Sequence, residues 1–166
     1  MIMFSRMLLL MMAVALLSAC AVAPPFKEQN LAGVNRSLSP GQAVKEEARN
    51  VQVLWGGVIV KAQNLRDHTD FTVLAFPLDK KSQRPDTDKV PGERFIARYS
   101  GYLETMVYEP GRRITLIGTL QGVEDGKVGD APYRFPVVKV NKLYLWPLDS
   151  DSKVHFGVGV GIGVHM

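Results

Sequence analysis

In the stretch RRITLIGTLQG (residues 112–122), apolar and polar side chains alternate with a period of two. Ile114, Leu116, Gly118 and Leu120 fall on one face and Arg113, Thr115, Thr119 and Gln121 on the other, with Ile117 an apolar exception on that outer face. A two-residue period belongs to an extended strand. One apolar face backed by one wet face belongs to an antiparallel sheet, because a parallel sheet is covered on both sides and reads as continuous apolar runs. Residues 51–61, 69–78, 94–99 and 133–146 form comparable runs, rich in β-branched and aromatic side chains and separated by Gly, Pro and Asp. Five strands spaced by turn residues predict an all-β domain rather than alternating β-α units.

Two of these strands break their own alternation. Val51, Val53 and Trp55 share a face until Gly56-Gly57 interrupts it, and paired glycines inside a strand predict a bulge or sharp bend. In the last run Val138 and Val140 share one face while Leu143 and Leu145 occupy the other, so an irregularity is expected near Asn141-Lys142. Bends in two strands favour closure over a flat sheet. The first expectation is a small five- to six-stranded barrel resembling the OB-fold, and an open β-sandwich is the second. Ahead of the strands, Ser39-Pro40-Gly41-Gln42 has the form of a capping box with proline at the first helical position. It predicts a short N-terminal helix over residues 40–49.

The chain opens with a single charge at Arg6, an unbroken apolar run over residues 7–17 and small residues at Ser18 and Ala19. That is the layout of a secretory signal peptide. A bilayer-crossing helix needs about 20 apolar residues, and this run is roughly half that length, so a retained transmembrane anchor is the weaker reading. The only cysteine, Cys20, closes the sequence Leu17-Ser18-Ala19-Cys20, which resembles the bacterial lipobox. That resemblance implies diacylation of the Cys20 thiol and cleavage that makes Cys20 the new N-terminus. A single acyl chain holds a protein to a bilayer only marginally, whereas two or three make a stable anchor. Without a second cysteine no internal disulfide can form. Ala21, not an aspartate, follows the cysteine; similarity to the sorting rule of proteobacterial lipoproteins then implies the outer membrane, on its periplasmic face.

Removing residues 1–19 leaves 147 residues and a net charge of +3, one arginine fewer than in the full chain. That length suits one domain. Lysines and arginines are scattered among acids with no run longer than two, a mixed solvated surface rather than the footprint of a nucleic-acid binder. The expected division is a signal peptide (1–19), a lipidated N-terminus and tether (20–39), a β-domain (40–149) and a Gly/Val-rich tail (150–166). In the tail, glycines at 157, 159, 161 and 163 alternate with Val and Ile; glycine loses the most entropy on ordering, so a weakly paired tail is expected. Residues 79–92 and 124–132 read as surface loops, where function often resides.

The chain offers no set of residues suited to catalysis. Asp67, His68 and Asp70 stand close in sequence, but a metal site needs three or four converging ligands, and the other histidines, His155 and His165, lie in the tail. A polar turn is the expectation, with no metal and no cofactor beyond covalent lipid on Cys20. Nucleophile-elbow and P-loop spacings are absent. Trp55, Tyr133, Tyr144 and Trp146 are the candidates for a ligand site at a barrel mouth, set against the reading that such rings fill the core and seal its end.

WGGVIV (residues 55–60), FPLDKKSQRPDTD (76–88), RFIARYSGYLETMVYEPGRRITLIGTLQG (94–122) and DGKVGDAPYRFPVVKVNKLYLW (125–146) resemble, in order and spacing, the Slp family of starvation-inducible outer-membrane lipoproteins of Gram-negative bacteria. The resemblance implies outer-membrane lipidation and a role in envelope physiology during starvation, stationary phase or acid stress. It implies no catalytic residues. Glu104-Thr105 departs from the Asp-Pro expected after the Gly-aromatic-Leu of that turn, and the Gly/Val tail is not a family feature. The leading expectation is a non-enzymatic lipoprotein that presents a small β-domain to the periplasm, with membrane lipid and an envelope protein as candidate partners and no nucleic acid. The alternative is a periplasmic binding module for a small ligand or an envelope protein.

Overall fold

The computed structural model describes residues 23–148. Cys20 and the Gly/Val tail lie outside the described residues. A 3-10 turn (Glu28–Asn30) and one short α-helix, α1 (Pro40–Lys45), precede five strands: β1 (Gln52–Asn64), β2 (His68–Ala75), β3 (Arg94–Ser100), β4 (Arg113–Val128) and β5 (Ala131–Leu145). α1 begins as its sequence predicts: the Ser39 side chain accepts from the Gln42 amide, and the Gln42 side chain accepts from the Ser39 amide. It ends after six residues, short of residue 49, because Glu47 adopts a left-handed backbone with φ 48°.

The strands pair in the order β1-β2-β3-β5-β4, and β4 pairs again with β1. Four of the seams are antiparallel. The fifth, between β3 and β5, is parallel and only three residue pairs long: Ile96 with Val137, Ala97 with Val138 and Arg98 with Lys139. The expected five- to six-stranded OB-like barrel is therefore corrected. The structure is a mixed five-stranded sheet with a short helical turn, no sixth strand occurs among the described residues, and the circuit of pairings is completed by one short parallel ladder. A pattern of alternation gives the faces of a strand but not the direction of its neighbour, so the parallel seam was invisible in the sequence. The two sheets of the alternative sandwich are not found among the described residues either.

The irregularities sit partly where the sequence places them. On β5, Lys142 faces Ile117 and Val140 faces Gly118, which leaves Asn141 as an extra residue. This shift carries Val138, Val140, Leu143 and Leu145 all toward the core, although their spacing puts them on opposite faces. On β1 the bulge lies at Val60, between the pairs of Ile59 and Lys61, and not at Gly56-Gly57. Neither of those glycines has a positive φ. They serve close approach instead: a Cβ on Gly57 would press on the Leu74 carbonyl, 2.8 Å from its carbon, and one on Gly56 would lie 2.7 Å from the Ile114 oxygen. Residues 124–132, expected as a loop, form the end of a β4–β5 hairpin that turns at Gly129 and Asp130. Gly129, with φ 60°, supplies the left-handed first position of that two-residue turn.

The core is built from Val53, Trp55, Phe71, Phe95, Ile114 and Leu116 with their neighbours, joined by Ala43 from α1 and by Leu103 and Tyr108 from the β3–β4 connection. Tyr108 packs against Phe71 with ring centroids 5.3 Å apart, and burial raises its phenol pKa above the usual value. A second apolar cluster lies apart from this one: Phe26 and Leu31 pack with Leu54 and Ile117. Ile117 is the residue that broke the polar face of β4, and its partner is the N-terminal segment.

Candidate functional site

The segment before α1, expected as a tether, is strapped to the sheet. Phe26 is 5% exposed and Leu31 6%. Phe26 is fixed through its backbone: its amide donates to Gln83 Oε1 at 3.2 Å, and its carbonyl accepts from Gln83 Nε2 at 2.8 Å. Further along, the Asn35 amide donates to the Gln52 carbonyl at 2.7 Å and Asn35 forms an isolated parallel bridge with Val53. The Leu38 carbonyl accepts from Trp55 Nε1 at 2.7 Å. The strap thus meets the sheet at Phe26, Asn35 and Leu38.

Gln83 is the residue that makes this possible. It lies within the charged β2–β3 connection, yet it is buried and holds a left-handed φ of 61°. Its carbonyl accepts from Thr115 Oγ1 at 2.8 Å, and the same hydroxyl accepts from Trp146 Nε1 at 2.9 Å. Phe26, Gln83, Thr115 and Trp146 form one relay in which each buried polar group has a partner, and an unpaired group there would cost about 1–3 kcal/mol. The loop reaches this position through Asp79, whose Oδ1 accepts from the Ser82 amide at 2.7 Å, the Ser82 hydroxyl at 2.8 Å and the Lys81 amide at 3.0 Å. The Ser82 amide is the main reason that the Asp79 carboxyl is held below the usual carboxylate range, followed by the Ser82 hydroxyl.

Beside the strap lies a cleft of about 580 Å³. Its floor is apolar, with Leu54, Trp55, Phe76 and Leu78; the strap's Leu38 and the loop's Val90 stand on its walls. Arg36 and Lys80 line it with positive charge and Asp79 and Glu93 with negative. Of the four aromatic candidates, only Trp55 lines this cleft. Tyr133 packs at a tilt against Phe135, centroids 4.6 Å apart, and its hydroxyl accepts from the Arg94 amide at 2.8 Å. Tyr144 and Trp146 form a T-shaped pair 4.8 Å apart, with the Arg84 guanidinium 5.6 Å from the Trp146 ring. The four are therefore divided among three places. Phe26, Gln83 and Leu78 were missed; the one visible signal was Phe26, an aromatic just after Pro24-Pro25, while nothing in DKKSQRPD marks Gln83 as buried.

Asp67, His68 and Asp70 come together as a polar cluster. His68 Nδ1 lies 2.6 Å from Asp67 Oδ1 and Nε2 lies 3.5 Å from Asp70 Oδ1. The hydrogen bond to His68 is the main cause that lowers the Asp67 pKa. Asp70 is occupied by its cross-strand partner Arg98, whose Nε and Nη2 donate at 2.9 and 2.8 Å. Arg98 reaches on to Glu124 at 2.9 Å, and these two carboxylates push its pKa further up. The ion pairs join β2, β3 and the β4–β5 hairpin, a cross-strand role. Among the described residues, no group of three or more His, Cys, Asp or Glu could hold a metal ion, and no helix is long and apolar enough to cross a membrane.

The fold and the cleft define a small strapped β-domain whose polar clusters bind its own strands and loops together. The sequence profile of the Outer membrane lipoprotein Slp family matches residues 17–159, and the chain belongs to that family. It is an outer-membrane lipoprotein oriented to the periplasm, as the resemblance predicts. An uncharacterized protein of Haemophilus influenzae is 32% identical over 136 residues, covering 81% of this chain and 72% of that one. The uncharacterized lipoprotein YeaY of Escherichia coli is 31% identical over 140 residues (80% and 68%), and the outer membrane protein Slp of the same species is 30% identical over 139 residues (80% and 70%). A solved small single-stranded DNA-binding protein from Streptomyces coelicolor aligns over 59% of this chain and 95% of its own, at 13% identity and a TM-score of 0.39. A likeness that weak carries no argument about ligand or fold.

Proposed function

We propose that the protein is anchored to the outer membrane by acyl chains on Cys20 and that its β-domain rests close against the bilayer, serving envelope maintenance under starvation, stationary phase or acid stress. The observation that carries this reading is the fixing of Phe26. Only five residues separate it from Cys20, six steps along the chain, and an extended chain spans at most about 3.3–3.6 Å per residue. Phe26 therefore lies within roughly 20 Å of an anchor at Cys20. A domain on so short a leash works at the membrane surface, not in the open periplasm.

Cys20→Ser tests the anchor. The variant should remain an uncleaved precursor or a soluble species, without lipid; recovery of a cleaved variant in the membrane fraction at the parent level would refute lipidation at Cys20. The second reading, a binding module, is favoured by the cleft at Trp55, which is concave and largely apolar as ligand sites are.

A further inference from the structure

We propose that the cleft beside the strap takes the acyl chain of an anionic amphiphile drawn from the adjoining bilayer, with its carboxylate or phosphate head between Arg36 and Lys80. This inference rests on the membrane-proximal placement proposed above. The first argument is the chemistry of the floor. The polar side-chain groups nearest to it are already consumed: Trp55 Nε1 donates to the Leu38 carbonyl, and both ends of the Gln83 amide are bound to the Phe26 backbone. Most of the surface that remains for a ligand is apolar, including that of Leu54, Phe76 and Leu78. A sugar or a peptide backbone would leave its own hydrogen-bonding groups unmatched there, at a cost of about 1–3 kcal/mol each. An acyl chain has none to satisfy and gains about 0.8 kcal/mol per buried methylene.

The second argument is charge. Two cations and two carboxylates line the cleft, and the carboxylates lie toward the β2–β3 loop and the start of α1. Asp79 is held by the amides and hydroxyl of its own loop. Glu93 is set against the start of α1, where its carboxylate fills the space a side chain at Gly41 would need. Among the described residues Arg36 pairs with Glu28 at 3.6 Å, both side chains being largely exposed. Lys80 is exposed on the rim. The third argument is position. Leu54 and Leu78 line the cleft and also belong to the apolar cluster around Phe26, so the cleft adjoins the point where the leash to Cys20 begins.

The test uses the full-length lipoprotein in lipid nanodiscs, supplied with a palmitate that carries a diazirine along its chain, irradiated and mapped by peptide mass spectrometry. Adducts are expected on the peptides that hold Phe76, Leu78 and Val90. Val90→Asp places a charge on the wall at a residue that is 85% exposed, and Lys80→Glu reverses a rim charge. Each should lower the cleft adduct at least five-fold while leaving the melting temperature unchanged. The proposal is overturned if adducts avoid the cleft, if both variants label like the parent, or if the chain found in the cleft is the one attached to Cys20. Quenching of the domain by lipid-borne quenchers, measured on the same nanodiscs, reports membrane proximity independently. Strong quenching without cleft labelling would overturn the ligand and leave the placement standing, whereas weak quenching would overturn the placement itself.

Discussion

Gln83→Ala removes the two hydrogen bonds that fix the Phe26 backbone while keeping the rest of the β2–β3 connection. Each such bond contributes about 0.5–1.5 kcal/mol net, so docking of the strap should weaken by about 1–3 kcal/mol. The loss falls on one segment, because the Phe26 amide and carbonyl can turn to water once the strap lifts. The lifted population should therefore rise roughly 5- to 150-fold, with the central sheet intact. Amide hydrogen exchange reads this directly: Phe26, Leu31 and Asn35 should exchange faster by that factor, and core amides such as Phe71 should change little. Gln83→Gly sharpens the test. It removes the same amide but relieves the left-handed backbone, which costs a non-glycine residue about 1–2 kcal/mol. Both variants should release the strap, and the glycine variant should melt higher than the alanine variant. Unchanged exchange at Phe26 and Leu31 in both variants would refute the assignment of Gln83 as the latch.

Gly57→Ala should destabilise the domain by several kcal/mol, beyond the about 1–3 kcal/mol typical of overpacking, because the added methyl meets the Leu74 backbone and not a side chain that can move; Gly92→Ala, whose nearest neighbour would be the Ala75 Cβ at 3.6 Å, should melt within a degree or two of the parent, and equal melting of both variants would remove the close-approach explanation. The depressed Asp79 carboxyl contributes stability that is complete above its ordinary pKa of 3.8 and is lost as pH falls through its lower folded value. Asp79→Asn should accordingly lower stability near neutrality and flatten its fall in that acid window; parallel stability curves from pH 5 to pH 2 would count against it.

Much of the sheet was legible because burial on one face writes a period of two into the sequence. Ile114, Leu116 and Leu120 are buried as β4 predicts, and the phase change at Asn141 was visible because the apolar residues themselves switch faces. What stayed hidden was set by tertiary geometry. Gly56-Gly57 reads equally well as a bend or as a place of close contact, and only the positions of Leu74 and Ile114 decide for contact. Ile117 looked like an exception because its partner, Phe26, lies 91 positions earlier. Gln83 looked like one more polar loop residue, since its burial depends on a backbone turn and on Thr115, neither of which leaves a local pattern. The aromatic candidates are spread through the domain for a related reason: large rings mark places of burial, and Trp55 and Trp146 are buried in different parts of the domain.

The central claim is that this outer-membrane lipoprotein holds its β-domain against the bilayer, and neutron reflectometry of the full-length protein on a supported bilayer tests it most directly. The profile should show protein density beginning at the headgroups, with no solvent layer wider than about 20 Å, the reach of the six chain steps from Cys20 to Phe26. A solvent layer clearly thicker than that between the bilayer and the domain would mean that the strap is released and would contradict the account.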